Sequence, residues 1–447
     1  MSDNTEAHGV PFRAALKVWA YIGLNSFGGP AGQIAVMHRE VVDRHRWVSE
    51  RRFLHALNYC MVLPGPEAQQ LATYLGWLMH GVWGGVAAGS LFIVPGFIAM
   101  LALSIVYAVW GSVALIAGLL AGLQAAVVVL VVQAFIRIAK RTLKSTFLRV
   151  VATCSFIGIF VFEIPFPMVI IAAGLVGYFK ARTGNAIAQD VREQPDDADP
   201  LLRDDVKVTK QQARSALRAA VIFALLWVTP VIVIVAVFGT SNVFAQEALF
   251  FSKAAVVTFG GAYAVLGYVA QQAVGKYGWL STADMATGLG LAETTPGPLI
   301  LVVQFVGFLG AYNNPGNLPP LLAGTLGALV TVWVTFIPCF FFIFLGAPFA
   351  ERLRENQHLS DALSAIGAAV AGVILNLALW FGLNTMFTNV SMESWGPLHV
   401  SVPELMSIDW PALGIAAVAA VLIFRFGWPT LRVLAVCALL GALVAYV

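Results

Sequence analysis

The sequence predicts an all-α polytopic membrane protein made of two inverted-topology repeats with re-entrant helical hairpins, and three observations predict it. The first is composition: 59% of the 447 residues are hydrophobic and 11% charged, with a mean hydropathy of +0.83. That leaves too few polar groups to cover a water-soluble globule of this size. The second is the recurrence of apolar runs on the scale of the ~20 residues a bilayer crossing needs, at 82–137, 147–180, 216–239, 321–348, 362–384 and 411–446. The third is self-similarity at a fixed offset, a common feature of transporter folds.

The opening residues MSDNTEAHGV are polar and acidic and lack the regions of a signal peptide, so the first apolar segment is itself the membrane signal. The four cysteines, Cys60, Cys154, Cys339 and Cys437, stand singly in or beside apolar runs without a CxxC pair. They read as reduced, small core hydrophobes.

The repeat keeps its register. Phe27-Gly28-Gly29 returns as Phe259-Gly260-Gly261, Trp47-Val48-Ser49 as Trp279-Leu280-Ser281, and Pro64-Gly65-Pro66 as Pro296-Gly297-Pro298, each 232 residues later. Beyond these, Ile93-Val94-Pro95 meets Phe336-Ile337-Pro338 and Ala125-Ala126-Val127 meets Ala368-Ala369-Val370 at an offset of 243. The second copy thus carries an insertion around Asn313-Asn314-Pro315-Gly316, a composition that suits an exposed loop. The expected division is a first repeat at 1–180, a polar cytoplasmic linker at 181–215 containing QPDDADP, an extra transmembrane helix at 216–240, and a second repeat at 241–447.

Basic residues set the orientation. Arg39, Arg44, Arg46, Arg51 and Arg52 lie between FGG and PGP in the first copy, whereas residues 271 to 284 of the second have only Lys276. Arg137, Lys140, Arg141, Lys144 and Arg149 follow the fourth apolar block of copy one, while 384–411 has no Lys or Arg; Arg352 and Arg354 reverse the comparison at the earlier loop. With the amino terminus inside, 11–37 and 53–80 re-entrant, four crossings and the odd helix at 217–239, only Lys253 and Lys276 of the 26 Lys and Arg fall on or near the outer side. This threading has nine full crossings and four re-entrant segments. A competing threading makes 11–30 a simple crossing, which places the Arg39 to Arg52 cluster outside.

Backbone that leaves helical geometry at membrane depth survives only where protein or a water-filled cavity satisfies it, so duplicated Gly and Pro breaks mark a site. In SFGGPAG (Ser26 to Gly32) the glycines permit a turn and close approach of a ligand, and Pro30 can open the following half-helix. Pro66 and Pro298 do the same in LPGPEAQQ and TPGPLILVVQ. Helix starts expose unpaired N–H groups and carry about +0.5 charge each, which suits a dianion. The candidate binding residues are Asn25, Ser26, Phe27, Gly28, Gly29, Pro64, Gly65 and Pro66 in the first copy. In the second they are Thr258, Phe259, Gly260, Gly261, Thr295, Pro296, Gly297 and Pro298. Asn25, Ser26, Thr258, Thr294 and Thr295 are the expected amide and hydroxyl donors. Glu67 and Glu293 are candidates for proton coupling, with Glu67 equally readable as a stabiliser of a helix N-terminus. Lys253 is either an entrance charge or a snorkelling lysine. The Arg39 to Arg52 cluster is first an orientation signal and only second an anion funnel. The seven histidines form no HExxH and no phosphate-binding GxxxxGK[ST] loop occurs, so neither an ATPase nor a metal hydrolase is expected, and no cofactor.

The duplicated unit, with SFGGPAGQIAVMHREVVDRHRWVSE followed by LPGPEAQQLATYLGW and then a second FGG and TPGP, resembles the chromate ion transporter family in its long, two-domain form. The resemblance spans nearly the whole chain. It implies a secondary transporter that exports chromate across the bacterial inner membrane by alternating access, with antiparallel halves, and confers chromate resistance. Its partners are then the oxyanion and the lipid bilayer, with no nucleic acid and with a homodimer allowed. Leu299 stands where a Glu would match Glu67, so a symmetric coupling role is not expected. The alternatives are a carrier of sulfate or another oxyanion and, from a different class, a non-transporting membrane sensor.

Overall fold

The fold is known from a computed structural model, which describes residues 9–181, 201, 209–259, 261–349, 357–396 and 398–445. Gly260, most of the 181–215 linker, and the Arg352 and Arg354 used for orientation lie outside the described residues.

The first copy opens with α1 (Phe12–Asn25), which ends at the FGG turn. There Gly28 adopts φ +81°, a conformation that needs glycine, and Pro30 occupies the first turn of α2 (Gly29–His38). That helix widens into a π turn at Arg39–Arg44, closed by the Trp47 N–H on the Val41 carbonyl at 2.8 Å. Ser49 caps α3 (Glu50–Val62) by accepting from the Arg52 N–H at 3.0 Å. After PGP comes α4 (Glu67–Trp110), broken at His80 and Gly81. It is followed by α5 (Ala114–Thr142), then α6 (Thr146–Phe160) and α7 (Phe166–Ala181). Next stands α8 (Lys210–Phe238), opened by a capping box of Thr209 and Gln212.

The second copy repeats these elements as α9 (Val243–Val257), α10 (Ala262–Ala270) with a π turn at Gln271–Lys276, and α11 (Thr282–Thr294). A 3₁₀ turn at Leu299–Leu301 leads into α12 (Val302–Asn313), and α13 (Pro320–Gly346) and α14 (Gln357–Met386) follow. An antiparallel hairpin of β1 (Val390–Trp395) and β2 (Leu398–Pro403) precedes α15 (Trp410–Ala420) and α16 (Thr430–Val444). The correspondence reaches single hydrogen bonds: the Trp279 N–H closes its π turn on Ala273 at 2.9 Å, and Ser281 caps α11 through the Asp284 N–H at 3.1 Å. The break at His80 and Gly81 becomes a full loop between α12 and α13, where the insertion falls.

Equivalent helices begin at opposite ends of the molecule. The first arm of α4 packs back along α3, with Tyr59 and Tyr74 rings 4.8 Å apart, so α3 starts near His80. From Gly81 the second arm of α4 runs about 45 Å, at 1.5 Å per residue, to Trp110. At that far end the Tyr107 hydroxyl donates to Asp284, in the first turn of α11, the counterpart of α3. The short hairpins are exchanged between copies, α6 and α7 packing on α14, α15 and α16 on α5. Glycines make these contacts close: a methyl at Gly372 would lie 2.3 Å from the Ala152 carbonyl oxygen, and one at Gly122 2.0 Å from that of Cys437.

Among the described residues, five helices are long and apolar enough to cross a membrane: α4, α5, α8, α13 and α14. The sequence count of nine full crossings therefore differs by four. Helices α6, α7 and α16, and α15 with its π turn to Arg425, reach only about 22–24 Å against a hydrocarbon core of ~30 Å. Their apolar runs are interrupted by Glu163 (φ +51°) with Pro165, and by Gly427 (φ +64°) with Pro429. Val221, Ile222, Leu225, Ile232 and Val237 leave α8 with a long exposed apolar face, which only lipid can solvate.

Candidate functional site

Four helix starts converge on one small cavity of about 10 Å³. It is lined by Pro30 and Gln33 of α2, by Pro66, Glu67 and Ala68 opening α4, by Gly261 and Ala262 opening α10, and by Pro298, Leu299 and Ile300 leading into α12. First-turn N–H groups have no acceptor within their own helix, so the wall carries donors and the partial positive ends of four helix dipoles.

Two hydrogen bonds hold the tips together. The Gly65 N–H donates to the Thr258 carbonyl at 2.8 Å, and the Gly297 N–H to the Ser26 carbonyl at 2.9 Å. These are the same bond made twice, and such reciprocal pairing is what a two-fold relation between copies produces. Both glycines have positive φ, +130° and +86°. Two glutamines brace the loops: Gln33 donates to the Gly297 carbonyl at 2.8 Å and Gln70 to that of Pro64 at 2.7 Å.

The carboxyls are arranged unequally. Glu67 is the first residue of α4 and stands in the cavity wall. Glu293 is buried, 3% exposed, and accepts from the Tyr263 hydroxyl. Arg141 and Arg137, one turn apart on α5, lie within electrostatic reach of Glu67 and Glu293 respectively, and Arg141 Nη2 also meets Met61 Sδ at 3.3 Å. Glu67 thus gives the cavity wall one carboxyl.

The structure places the residues expected from sequence as follows. Each expected donor makes a hydrogen bond in the last turns of its own helix. The Asn25 amide donates to the Tyr21 carbonyl (2.8 Å), Ser26 to Ile22 (2.6 Å), Thr258 to Ala254 (2.5 Å), Thr294 to Leu291 (2.7 Å) and Thr295 to Ala292 (3.1 Å). The reason is general: terminal helix carbonyls lack partners, and a nearby hydroxyl or amide supplies one. Pro64, Gly65, Pro296 and Gly297 shape the tips, and the two glycine N–H groups are already paired. Phe27, Gly28, Gly29 and Phe259 flank the cavity without lining it. Lys253 is exposed on α9 and does not reach it. Five residues bearing on the site were not singled out from sequence: Gln33, Gln70, Tyr263, Arg137 and Arg141. Gln33 did carry a signal, being an amide one turn into an apolar half-helix.

Comparison with known proteins gives this arrangement a family. The chromate transporter model matches residues 14–178 and 245–442. The chain belongs to the chromate transporter family. Over 360 residues it is 35% identical to the chromate transport protein of Pseudomonas aeruginosa, covering 79% of this chain and 76% of that relative. It is 24% identical over 426 residues to the chromate transport protein of Cupriavidus metallidurans (95% and 91% covered). With the probable chromate transport protein of Synechococcus elongatus it shares 25% over 412 residues (90% and 93%). No solved structure gives a significant match. As a member of the chromate transporter family, the chain is a multi-pass membrane transporter and not an enzyme.

Proposed function

We propose that the protein is a secondary transporter that exports chromate across the inner membrane by alternating access, with its amino terminus in the cytoplasm and the repeats 1–180 and 241–447 moving against each other. The observation that carries this reading is the meeting of four helix starts in one cavity. Such a wall attracts a dianion without a buried cationic side chain, and the two-fold relation of the tips suits an opening that alternates between faces. Chromate is the substrate that the relatives' names indicate.

Glu67 and a dianion compete for the same positive ends, so anion binding favours the protonated carboxyl. A membrane potential negative inside drives anions outward, by about 2.3 kcal/mol per charge per 100 mV, which supplies energy for export without ATP. Proteoliposomes loaded with labelled chromate test the reading. Flux above that of empty vesicles is expected, and its absence with folded protein present rejects transport. A second reading, transport of sulfate or another tetrahedral oxyanion, rests on shared shape and charge. Stronger competition by sulfate or molybdate than by unlabelled chromate in the same assay would favour it.

A further inference from the structure

One carboxyl belongs to neither the cavity nor its edge. Glu247 lies in the second turn of α9, fully buried, and neither carboxyl oxygen has a hydrogen-bond partner among the described residues. It is about 16 Å along the helix, at 1.5 Å per residue, from Thr258 at the tip. Its oxygens face two other helices: a methyl at Gly310 of α12 would lie 2.9 Å from Oε1, and one at Gly327 of α13 3.0 Å from Oε2. One turn from Gly327 the buried Thr331 hydroxyl is also unpartnered. Glycines therefore make room for a polar pocket where three helices of small and apolar residues would otherwise close. The pocket is one turn of α12 from the Asn313 end, where Asn313 holds the Trp279 carbonyl at 3.0 Å.

Among the described residues no counter-charge serves it. The titratable groups on the elements packed against α9 are Tyr263 and Tyr268 of α10, Lys276 and Tyr277 after it, Tyr312 of α12 and Cys339 of α13. Lys210, Arg214 and Arg218 of α8 are at that helix's opposite end, and Lys253 of α9 itself is exposed. None of them makes an ion pair or hydrogen bond to Glu247. An ionised carboxylate held among apolar helices without partners is strongly disfavoured, whereas the neutral acid fits.

We propose that Glu247 is a proton-binding site of the second half. It holds its proton while α9 is packed on α12 and α13, and its O–H proton passes to water when that contact opens at the Asn313 end. The site is one-sided, because the first copy has Ala15 at the matching position.

Infrared difference spectra of the full chain in lipid, wild type against Glu247→Gln at neutral pH, test the assignment. A carboxylic C=O band that the variant lacks is expected, and its absence from the difference overturns the proposal. A second measurement stands if that variant does not fold. A hydrophobic carbodiimide adds the protonated carboxyl across its N=C=N bond, giving an O-acylisourea that rearranges to a stable N-acylurea with nothing lost. An adduct on the Glu247 peptide at neutral pH is expected, and an unmodified peptide overturns the site. Both readouts need no chromate, so their failure leaves the transport reading intact. The link to transport rests on that reading. A one-proton step changes an equilibrium about tenfold per pH unit, and the stimulation of flux by an imposed pH gradient should fall by about that factor in Glu247→Gln. An unchanged response rejects coupling.

Discussion

Replacing Gly96 by alanine tests whether the tips and the long helix must keep their present contact. Gly96 is buried in the second arm of α4, and an added methyl would sit 2.2 Å from the Pro296 carbonyl oxygen and 2.5 Å from Leu301 Cδ1. Non-bonded heavy atoms settle near ~3.5 Å, so the second PGP loop must retreat by about 1 Å. The obstacle is backbone, which cannot rotate away, and overpacking of this kind costs about 1–3 kcal/mol. Borne only by the conformation described, that cost lowers its population by about 5–150-fold. Chromate flux in proteoliposomes should fall by at least about fivefold, with normal membrane insertion and a lower melting temperature in detergent. Gly414→Ala, where an added methyl meets nothing within 4 Å, is the matched control and should stay within twofold of wild type. Wild-type flux and melting in Gly96→Ala would refute the claim that this packing positions the cavity.

Three further outcomes are expected. Glu67→Gln removes a carboxylate that competes with the substrate when ionised, so wild-type flux should decline as pH rises while the variant's does not; parallel pH profiles would remove Glu67 from the site. Gln33→Leu leaves the Gly297 carbonyl without its 2.8 Å donor, at a cost of about 1–3 kcal/mol. A measurable drop in melting temperature should accompany weaker anion binding. Arg51→Cys and Ala283→Cys, at matching exposed positions and made in a Cys154→Ser background, should react with a membrane-impermeant thiol reagent from opposite faces. Labelling of both from one face would cancel the inverted arrangement.

The backbone of the site was readable from Gly and Pro because those residues constrain φ and ψ wherever they stand, and a constraint repeated 232 residues later is independent of any packing. The repeated Trp-x-Ser motif proved to be a pair of caps: Ser49 and Ser281 each precede a helix and each accepts from the third residue on. Side-chain roles were not readable. Ser26 and Thr258 read as ligand donors, and each hydroxyl donates to the carbonyl four residues back, a bond that the motif alone does not show. Arg137 and Arg141 were read only as orientation charges, since nothing local shows that α5 passes beside Glu67 and Glu293. The lengths of α6, α7, α15 and α16 were overestimated because hydropathy continues through Pro165 and Pro429 where the helices do not.

The unequal joint between hairpin and crossing has mechanical consequences. In the first half, the arm that starts at Glu67 turns sharply at His80 and Gly81 and packs back on the arm that ends at Trp110, where a methyl at Gly76 would lie 2.4 Å from the Gly84 carbonyl oxygen, so a tilt imposed at its tip passes directly to that crossing. In the second half the loop from Asn314 to Pro319 separates the corresponding pieces and acts as a hinge that absorbs such a tilt. The tight turn on one side and the six-residue loop on the other thus couple hairpin to crossing unequally in the two halves.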